Sequence, residues 1–415
     1  MVRQTSVLNQ LESIVGSDGV KPPEELSAFA VDGLTPQAAV APASYEQTAE
    51  VMRYAHSEGL AVIPRGGGTH MHIGNVPSRY DIALSLSRLN GVVEHEPADL
   101  TATVQAGMTL GELQRHLGGA GQILPLDPPG GERATIGGIL AANAWGPWRH
   151  AFGSARDMTI GLRVVTAEGR VTRAGGRVVK NVAGYDLCKL YIGSLGTLGV
   201  IVEATFKLLP LPREQRTVVA TFPTAADACA FAAALPERGL SVRSITLARD
   251  GATYTLALDI AGSPAAAERS QHEIAELARQ ASARITAAAP PSALAEALQK
   301  DDFLLCKASV LPSRLPGLID ALDALEAPEV LAYPTLGICY AAWPSPRDAE
   351  SIAGAVPRLV GAAGGGLVLE RCPLDLKRRL DVFGEPPASF GLMRRVKEQF
   401  DPRGVLSPGR FVGRL

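Results

Sequence analysis

The stretch Pro64 to Asn75, PRGGGTHMHIGN, decides how the rest of the chain is read. It follows Leu60-Ala61-Val62-Ile63, a short apolar run that reads as a buried strand. Gly66, Gly67 and Gly68 then stand in a row between Arg65 and Thr69. Consecutive glycines let a backbone turn tightly and bring its N–H groups against a bulky anion, and Arg65 adds a guanidinium of bidentate geometry. Taken alone, the loop is explained as well by an ordinary glycine turn as by a pyrophosphate cradle. It departs from the dinucleotide fingerprint G-x-G-x-x-G, because Met71 stands where the third glycine belongs, and it has no Gly-Lys-Ser/Thr ending of a Walker loop. A nucleotide held here is held by another fold.

Outward from this loop, glycine stays concentrated: 24 of the 43 glycines fall between Gly66 and Gly199, and past Pro212 the chain turns to alanine-rich helices. The 415 residues suffice for two or three domains. A composition of 46% hydrophobic and 20% charged residues is that of a soluble globular chain, and a net charge of −2 gives no electrostatic reason to expect nucleic acid. Five cysteines (Cys188, Cys229, Cys306, Cys339, Cys372) include no C-x-x-C, which argues against an iron–sulfur or structural zinc site in this chain and for a reducing compartment. Glu12 and Asp18 interrupt any signal-peptide core, and no run of about 18 apolar residues exists. The expected location is cytoplasmic.

Local signals fill in the elements. Ser44-Tyr45-Glu46-Gln47 reads as a capping box opening a helix to about Ser57, closed by Gly59, and Thr109-Leu110-Gly111-Glu112 as a second box. Ile82 to Leu86 and Thr101 to Gln105 read as strands. A second glycine stretch, Thr135-Ile136-Gly137-Gly138, precedes a helix-like patch at Ile139 to Asn143; it offers free N–H groups and a positive dipole end for an anion, or is a helix start with no ligand. Arg163 to Arg173 reads as a hairpin about Glu168-Gly169. The third stretch runs from Gly175 to Pro210, with Gly193, Gly196 and Gly199 at every third residue, then Val200, Val202, Ala204, Phe206 and Leu208 alternating as a long strand. Upstream of it lie Lys180, Asn181, Tyr185, Asp186 and Lys189, readable simply as a solvated loop. Between Arg216 and Glu370 the strands and helices follow the order β-α-β-β-α-β twice, joined by a helical link, which predicts an antiparallel sheet with helices on one face.

Taken together and in order, PRGGGT, ATIGG, FGSARD and GSLGTLGVIVEATFKL resemble the FAD-binding domain of the vanillyl-alcohol oxidase and para-cresol methylhydroxylase (PCMH) type, from about Ala39 to Leu211. The resemblance implies an α+β chain: a two-part FAD-binding domain over 1–212, a cap domain of two ferredoxin-like halves over 213–388, and a segment over 389–415 that returns to the FAD domain. It assigns Arg65, Gly66, Gly67, Gly68, Thr69, Gly131, Ala134, Thr135, Gly137, Gly138, Asn143, Ser154 and Ile201 to the cofactor. Thr69 occupies the position where some members tether FAD to a histidine, with His70 and His72 beyond it, so non-covalent FAD is expected.

Val178 to Ile201 and Gly146 to Arg170 are most similar to the FAD-binding E subunit of glycolate oxidase (glycolate dehydrogenase). That family works with a second flavoprotein subunit and an iron–sulfur subunit, oxidises glycolate to glyoxylate, and passes electrons toward the respiratory chain at the inner face of the membrane. Related catalytic subunits carry a motif H-x-G-x-G-x-x-H in the cap; here one histidine, His272, lies beyond His150. Three roles therefore stay open: a subunit whose own flavin takes the hydride, a relay or structural flavin subunit dependent on a catalytic partner, and a stand-alone oxidase of another alcohol or 2-hydroxy acid. No metal ligand set and no catalytic base is identified. Tyr333, Tyr340, Glu370 and Arg371 are expected at strand ends in the cap, where each also has a purely structural explanation.

Overall fold

The computed structural model describes residues 2–176, 185–251, 253–281, 283–286 and 304–415. The chain divides into two compact units: Met1–Gly146, Gly153–Leu211 and Glu385–Leu415 form the first, Pro147–Phe152 and Pro212–Gly384 the second.

The first unit opens with helix α1 (Val2–Val15) and then builds a parallel sheet of three short strands. Strand β1 (Ala38–Val40) leads through α2 (Tyr45–Glu58) to β2 (Val62–Arg65), and β3 (Ile82–Ser85) lies between them in the order β1-β3-β2. Ile82, Ala83 and Leu84 are wholly buried, as a central parallel strand requires. Helix α2 starts where Ser44 Oγ accepts the Gln47 N–H at 3.1 Å. The Gln47 carboxamide reaches past the cap to the Ala43 N–H (2.7 Å), so the expected box is closed one residue earlier. Gly59 ends the helix at φ 68°.

Strands β4 (Val92–Glu96) and β5 (Thr101–Gln105) begin an antiparallel sheet. Helix α3 (Leu110–Gly118) carries the full box: Glu112 N–H to Thr109 Oγ1, and the Glu112 carboxylate back to the Thr109 N–H and hydroxyl. After β6 (Gln122–Ile123) and α4 (Ile136–Ala142), the short α5 (Arg149–Phe152) belongs to the second unit, and α6 (Ala155–Met158) rejoins the first. Strands β7 (Thr159–Val165) and β8 (Val171–Gly175) form the expected hairpin. Lys180 and Asn181 lie outside the described residues. Following α7 (Cys188–Tyr191), β9 (Val200–Lys207) sits at the centre of the five-stranded order β4-β5-β9-β7-β8, with every residue from Val200 to Phe206 buried. A short β10 (Leu209–Pro210) pairs with β6.

The second unit is one eight-stranded antiparallel sheet. Its strands are β11 (Glu214–Phe222), β12 (Val242–Asp250), β13 (Thr253–Gly262), β14 (Arg284–Thr286), β15 (Leu304–Ser309), β16 (Glu329–Tyr333), β17 (Ile338–Trp343) and β18 (Gly366–Arg371). Their order, β14-β11-β13-β12-β16-β17-β15-β18, is the same four-strand pattern twice, joined back to back at Leu247↔Ala332 and Ala248↔Leu331. Helices α8 (Ala225–Ala234) and α9 (Pro264–Gln280) serve one half, α10 (Leu315–Asp323) and α11 (Ala349–Ala362) the other. The repeated β-α-β-β-α-β reading is thus realised as one continuous sheet. The helical link expected between the halves falls largely in 287–303, outside the described residues.

Strand alternation sends Phe222, Leu256, Leu258, Cys306, Ala308, Cys339, Ala341 and Leu369 into one core with Phe231, Ile274, Ile319 and Val356 of the helices. Their strand neighbours, among them Lys307, Tyr340 and Glu370, point to the opposite face.

After α12 (Leu374–Arg379) the chain returns to the first unit with α13 (Phe390–Phe400). Asp401, with no exposed side-chain surface, accepts the N–H groups of Val405 (2.9 Å) and Leu406 (2.8 Å) and the Lys397 ammonium (2.6 Å). Lys397 also donates to the carbonyls of Thr197 and Leu406, each at 2.9 Å. The segment beyond Asp401 then runs beside β2: Val62 N–H donates to Val405 O (2.7 Å), and Ser407 N–H to Val62 O (2.9 Å).

Candidate functional site

At Arg65 strand β2 ends and the glycine loop begins. Among the described residues, the backbone N–H groups of Gly66, Gly67, Gly68 and Thr69 make no hydrogen bond. Four successive unpaired donors in a turn, with Gly68 at φ +75°, form a concave nest of partial positive charge. The absence of side chains is enforced by packing. A Cβ on Gly66 would stand 1.8 Å from Thr135 Oγ1, and one on Gly67 2.1 Å from the Arg133 carbonyl oxygen. The glycine loop is therefore pressed against the Thr135 side chain and the Arg133 backbone just before the second stretch. Arg65 is less free than its position suggests, because its guanidinium lies over the Phe29 ring, 5.2 Å from the centroid.

The second stretch takes part in a different way from that expected. Helix α4 begins at Ile136, with Thr135 as its cap, so Gly137 and Gly138 lie inside the first turn. Their donors are already engaged: Ile136 N–H to Met108 O (2.9 Å), Gly137 N–H to Ala106 O (2.7 Å), and Gly138 N–H to Thr135 Oγ1 (3.4 Å). No donors remain there for an anion. What the stretch contributes is smoothness, since the lining at Thr135, Gly137 and Gly138 brings backbone close to whatever the loop of Gly66–Thr69 holds.

One cavity joins Arg65, Gly66, Gly67, Gly68, Thr69, Thr135, Gly137, Gly138 and Ile201. Ile201 comes from β9 and Leu195-Gly196 from the loop before it, so the third glycine stretch closes the same space. Four of the residues singled out in the sequence lie elsewhere. Gly131 and Ala134 stand in the turn after Pro128, where Ala134 O accepts the Leu110 N–H (2.9 Å) and ties that turn to α3. Ser154 is buried as the cap of α6, bound to Asp157 Oδ2 through both N–H (2.7 Å) and hydroxyl (2.9 Å). Asn143 closes α4 at φ 47° and lines a separate cavity of about 430 Å³ with Ile192, Gly193, Ser194 and Thr197.

Sequence reasoning passed over Arg410. Its side chain is 3% exposed, donates from Nη2 to Met71 O (2.8 Å) and to Ile73 O, and reaches the cradle's lining, while Nε is buried without a partner. Burial lowers its pKa from the usual arginine value, with Asp32 and Tyr80 pulling the other way. A buried guanidinium with one unanswered N–H beside four unanswered backbone N–H groups suits a doubly anionic pyrophosphate. Its only signal in the sequence is Ser407-Pro408-Gly409-Arg410, whose partners in the loop lie 339 residues away.

The second unit holds its own polar cluster on the sheet face turned from the four helices. Lys307 pairs with Tyr340 in the β15–β17 register, and its ammonium lies 5.7 Å from the Tyr340 ring centroid and 3.6 Å from Glu370 Oε1. Tyr333 meets Tyr340 edge to face at 6.1 Å. Tyr333, Glu370 and Arg371 are at strand ends as expected, whereas Tyr340 is in the middle of β17. Burial first, then the Glu370 carboxylate and Tyr333, push the Tyr340 phenol well above its usual pKa, with Arg149 opposing. In α5, His150 Nδ1 is 2.8 Å from Thr335 Oγ1, and burial lowers its pKa below the usual 6.5, so the ring is neutral at pH 7. Beside it the Arg243 guanidinium stacks on Trp148 at 4.1 Å and donates to Asp259 Oδ2 (2.8 Å). His272 is a surface residue, 72% exposed and 3.5 Å from Glu276.

Two family models match the first unit: the FAD binding domain over residues 36–175, and the FAD linked oxidases, C-terminal domain, over 385–411. With that fold and cradle, the first unit carries the FAD-binding domain and C-terminal segment of the kind found in FAD-linked oxidases, and FAD is its cofactor. It is 36% identical over 187 residues to the glycolate oxidase subunit GlcD of Bacillus subtilis, covering 45% of this chain and 40% of that one. To the glycolate oxidase subunit GlcE of Escherichia coli it is 39% identical over 165 residues, covering 40% and 47%. To the D-lactate dehydrogenase of Archaeoglobus fulgidus it is 27% identical across 91% of both chains. The match to the GlcD subunit thus spans about two fifths of that relative's length. The p-cresol methylhydroxylase structure with substrate bound shares the fold, with a TM-score of 0.78 at 16% identity over 98% of this chain and 96% of that one.

Proposed function

We propose that this chain is the FAD-binding subunit of a glycolate oxidase (dehydrogenase) complex, oxidising glycolate to glyoxylate and passing electrons to a second flavoprotein subunit and an iron–sulfur subunit. The observation that carries the reading is the nest of four unpaired N–H groups at Gly66–Thr69, completed by Arg410. The names of the relatives, glycolate oxidase subunits and D-lactate dehydrogenase, favour a 2-hydroxy acid as substrate. FAD, when bound, supplies the hydride acceptor that such an oxidation needs.

This chain's residues supply the rest. The Gly66–Thr69 donors and Arg410 hold the pyrophosphate. Gly137 and Gly138 admit it without a steric barrier. Thr69, in the position of the tethering histidine, leaves the flavin non-covalent, and acid precipitation of the protein releases it. No described helix is long and apolar enough to cross a membrane, so association with the inner membrane face runs through the partner subunits.

A second reading has the same cofactor site but makes the chain an electron relay dependent on the partner flavoprotein. It draws on the exposed His272, the one histidine beyond His150. Anaerobic titration of the isolated chain with glycolate separates the two. Bleaching of the visible flavin band supports the first. A flavin that stays oxidised until the partner flavoprotein is added supports the relay, and a colourless chain that takes up no FAD overturns both.

A further inference from the structure

Back to back with the cradle lies the second cavity, of about 430 Å³. All of its lining residues belong to the first unit, and none of them lines the cradle. The same three segments divide the two spaces. At the end of α4, Ala142 lines the cradle and Asn143 the second cavity; before β9, Leu195 lines the one and Ser194 the other; in the returning segment, Arg410 lines the one and Phe411 the other. Helix α13 closes the second cavity with Met393 and Val396. It buries none of its 11 residues, and Leu392 is left 56% exposed. The walls are chiefly aliphatic, with Leu190, Ile192 and Leu198 facing α13, and no described carboxylate side chain lines them. Three cations do. Lys397 is answered by Asp401 at 2.6 Å and Lys189 by Asp186 at 3.3 Å, whereas the Arg156 guanidinium is hydrogen-bonded to a neutral group, the Lys189 carbonyl. Asn143 Oδ1 is buried without a hydrogen-bond partner, where such an oxygen is ordinarily answered.

We infer that this cavity binds a single-chain aliphatic acid with a hydroxyl near its carboxylate. The chain lies along the Leu190, Ile192, Met393 and Val396 walls, the carboxylate meets the Arg156 guanidinium, and the hydroxyl donates to Asn143 Oδ1. The volume is that of a small-molecule pocket, and its composition is the usual one of apolar walls with a few polar groups that fix orientation. A short acid such as glycolate has the head but nothing to set against the aliphatic walls. The inference rests on the first unit's own residues and not on the proposed substrate or partners.

The test is calorimetric titration of the full chain, as purified, with 3-hydroxydecanoate and separately with decanoate, which lacks the hydroxyl. Both are expected to bind, 3-hydroxydecanoate about fivefold more tightly, the effect of one neutral hydrogen bond. Arg156→Gln is expected to weaken both about tenfold, because a charge-assisted bond is lost. Asn143→Gly is expected to bring 3-hydroxydecanoate down to the level of decanoate and to leave decanoate unchanged. Glycine suits the φ of 47° there, so the end of α4 is kept. An Asn143 with a merely structural role would lower both affinities together, which overturns the hydroxyl contact and the ligand class with it. If Asn143→Gly does not fold, Val396→Trp, which fills the cavity from α13, decides by abolishing the binding of both acids. No binding of either acid by the wild-type chain, equal affinity for the two, or an Arg156→Gln chain that binds like wild type overturns the site. Binding to phosphatidylglycerol vesicles with none to the free acids also overturns it and makes the patch a membrane contact. A chain that binds 3-hydroxydecanoate but takes up no FAD would sink the cofactor function and leave this site standing.

Discussion

The cradle of the first unit and the polar sheet face of the second are built from opposite materials. The cradle works with backbone N–H groups, and its key positions have no side chains at all. The sheet face works with Tyr340, Lys307, Glu370 and Arg149, and its backbone is ordinary strand and short helix. A site made of backbone is damaged by adding atoms, and one made of side chains by taking them away. The two also differ in how they are written. Backbone sites need glycine at adjacent positions, so they appear as contiguous words. Side-chain sites need only that distant residues meet on a pleated surface, so they appear as single letters spread over the chain.

The largest effect should come from adding atoms to the cradle. Gly67→Val places a Cβ 2.1 Å from the Arg133 carbonyl, and the purified variant is expected to lack the visible flavin band. A fully yellow Gly67→Val chain would break the contrast. Next comes a side-chain device that serves the backbone site. Asp401→Ala strands the buried Lys397 ammonium and two N–H groups, and should cost about 3–5 kcal/mol in urea unfolding, the range for breaking a buried ion pair. A loss below about 1 kcal/mol would show that this latch is solvated in solution. Thr109→Ala removes the cap of α3 and should cost about 1 kcal/mol by the same measurement. The smallest effect lies in the second unit and depends on pH. His150 has a folded-state pKa below 6.5, so the unfolded chain binds the extra proton; stability is full above pH 6.5 and falls as pH drops toward the folded value. His150→Gln should make that fall shallower, as read from melting temperatures at pH 8 and pH 5.5. An identical fall in both proteins would place the acid sensitivity elsewhere.

What could be read in the sequence follows the same division. The box Thr109–Glu112, the long strand of Val200 to Lys207 and the doubled β-α-β-β-α-β order are local patterns, and each is present as read. So is the glycine loop as a turn lined by unpaired donors. The donors of the second stretch were misread because the acceptors of Ile136 and Gly137, the carbonyls of Met108 and Ala106, sit on a segment that no local rule brings beside them, while Gly138 N–H is taken by the Thr135 hydroxyl. Nothing in Pro147–Phe152 announces that Trp148 stacks under Arg243. The Lys307–Tyr340 pairing needs the strand register, which is set only when the sheet closes. Arg410 needed knowledge that residues 405–407 lie along β2.

That last feature also fixes a sequence of events in synthesis. Strand β2 emerges early, but the backbone that pairs with Val62 is Val405 to Ser407, and the guanidinium that completes the cradle is Arg410. The intervening 212–384 are translated first and can collapse around their own core while the first unit waits. A nascent chain therefore holds an unfinished site until Val405 to Arg410 have left the ribosome, and such long-range closure is slow. On the proposed cofactor site, flavin capture waits for that closure, and a chain cut short before Asp401 would lack both the backbone that pairs with Val62 and Arg410.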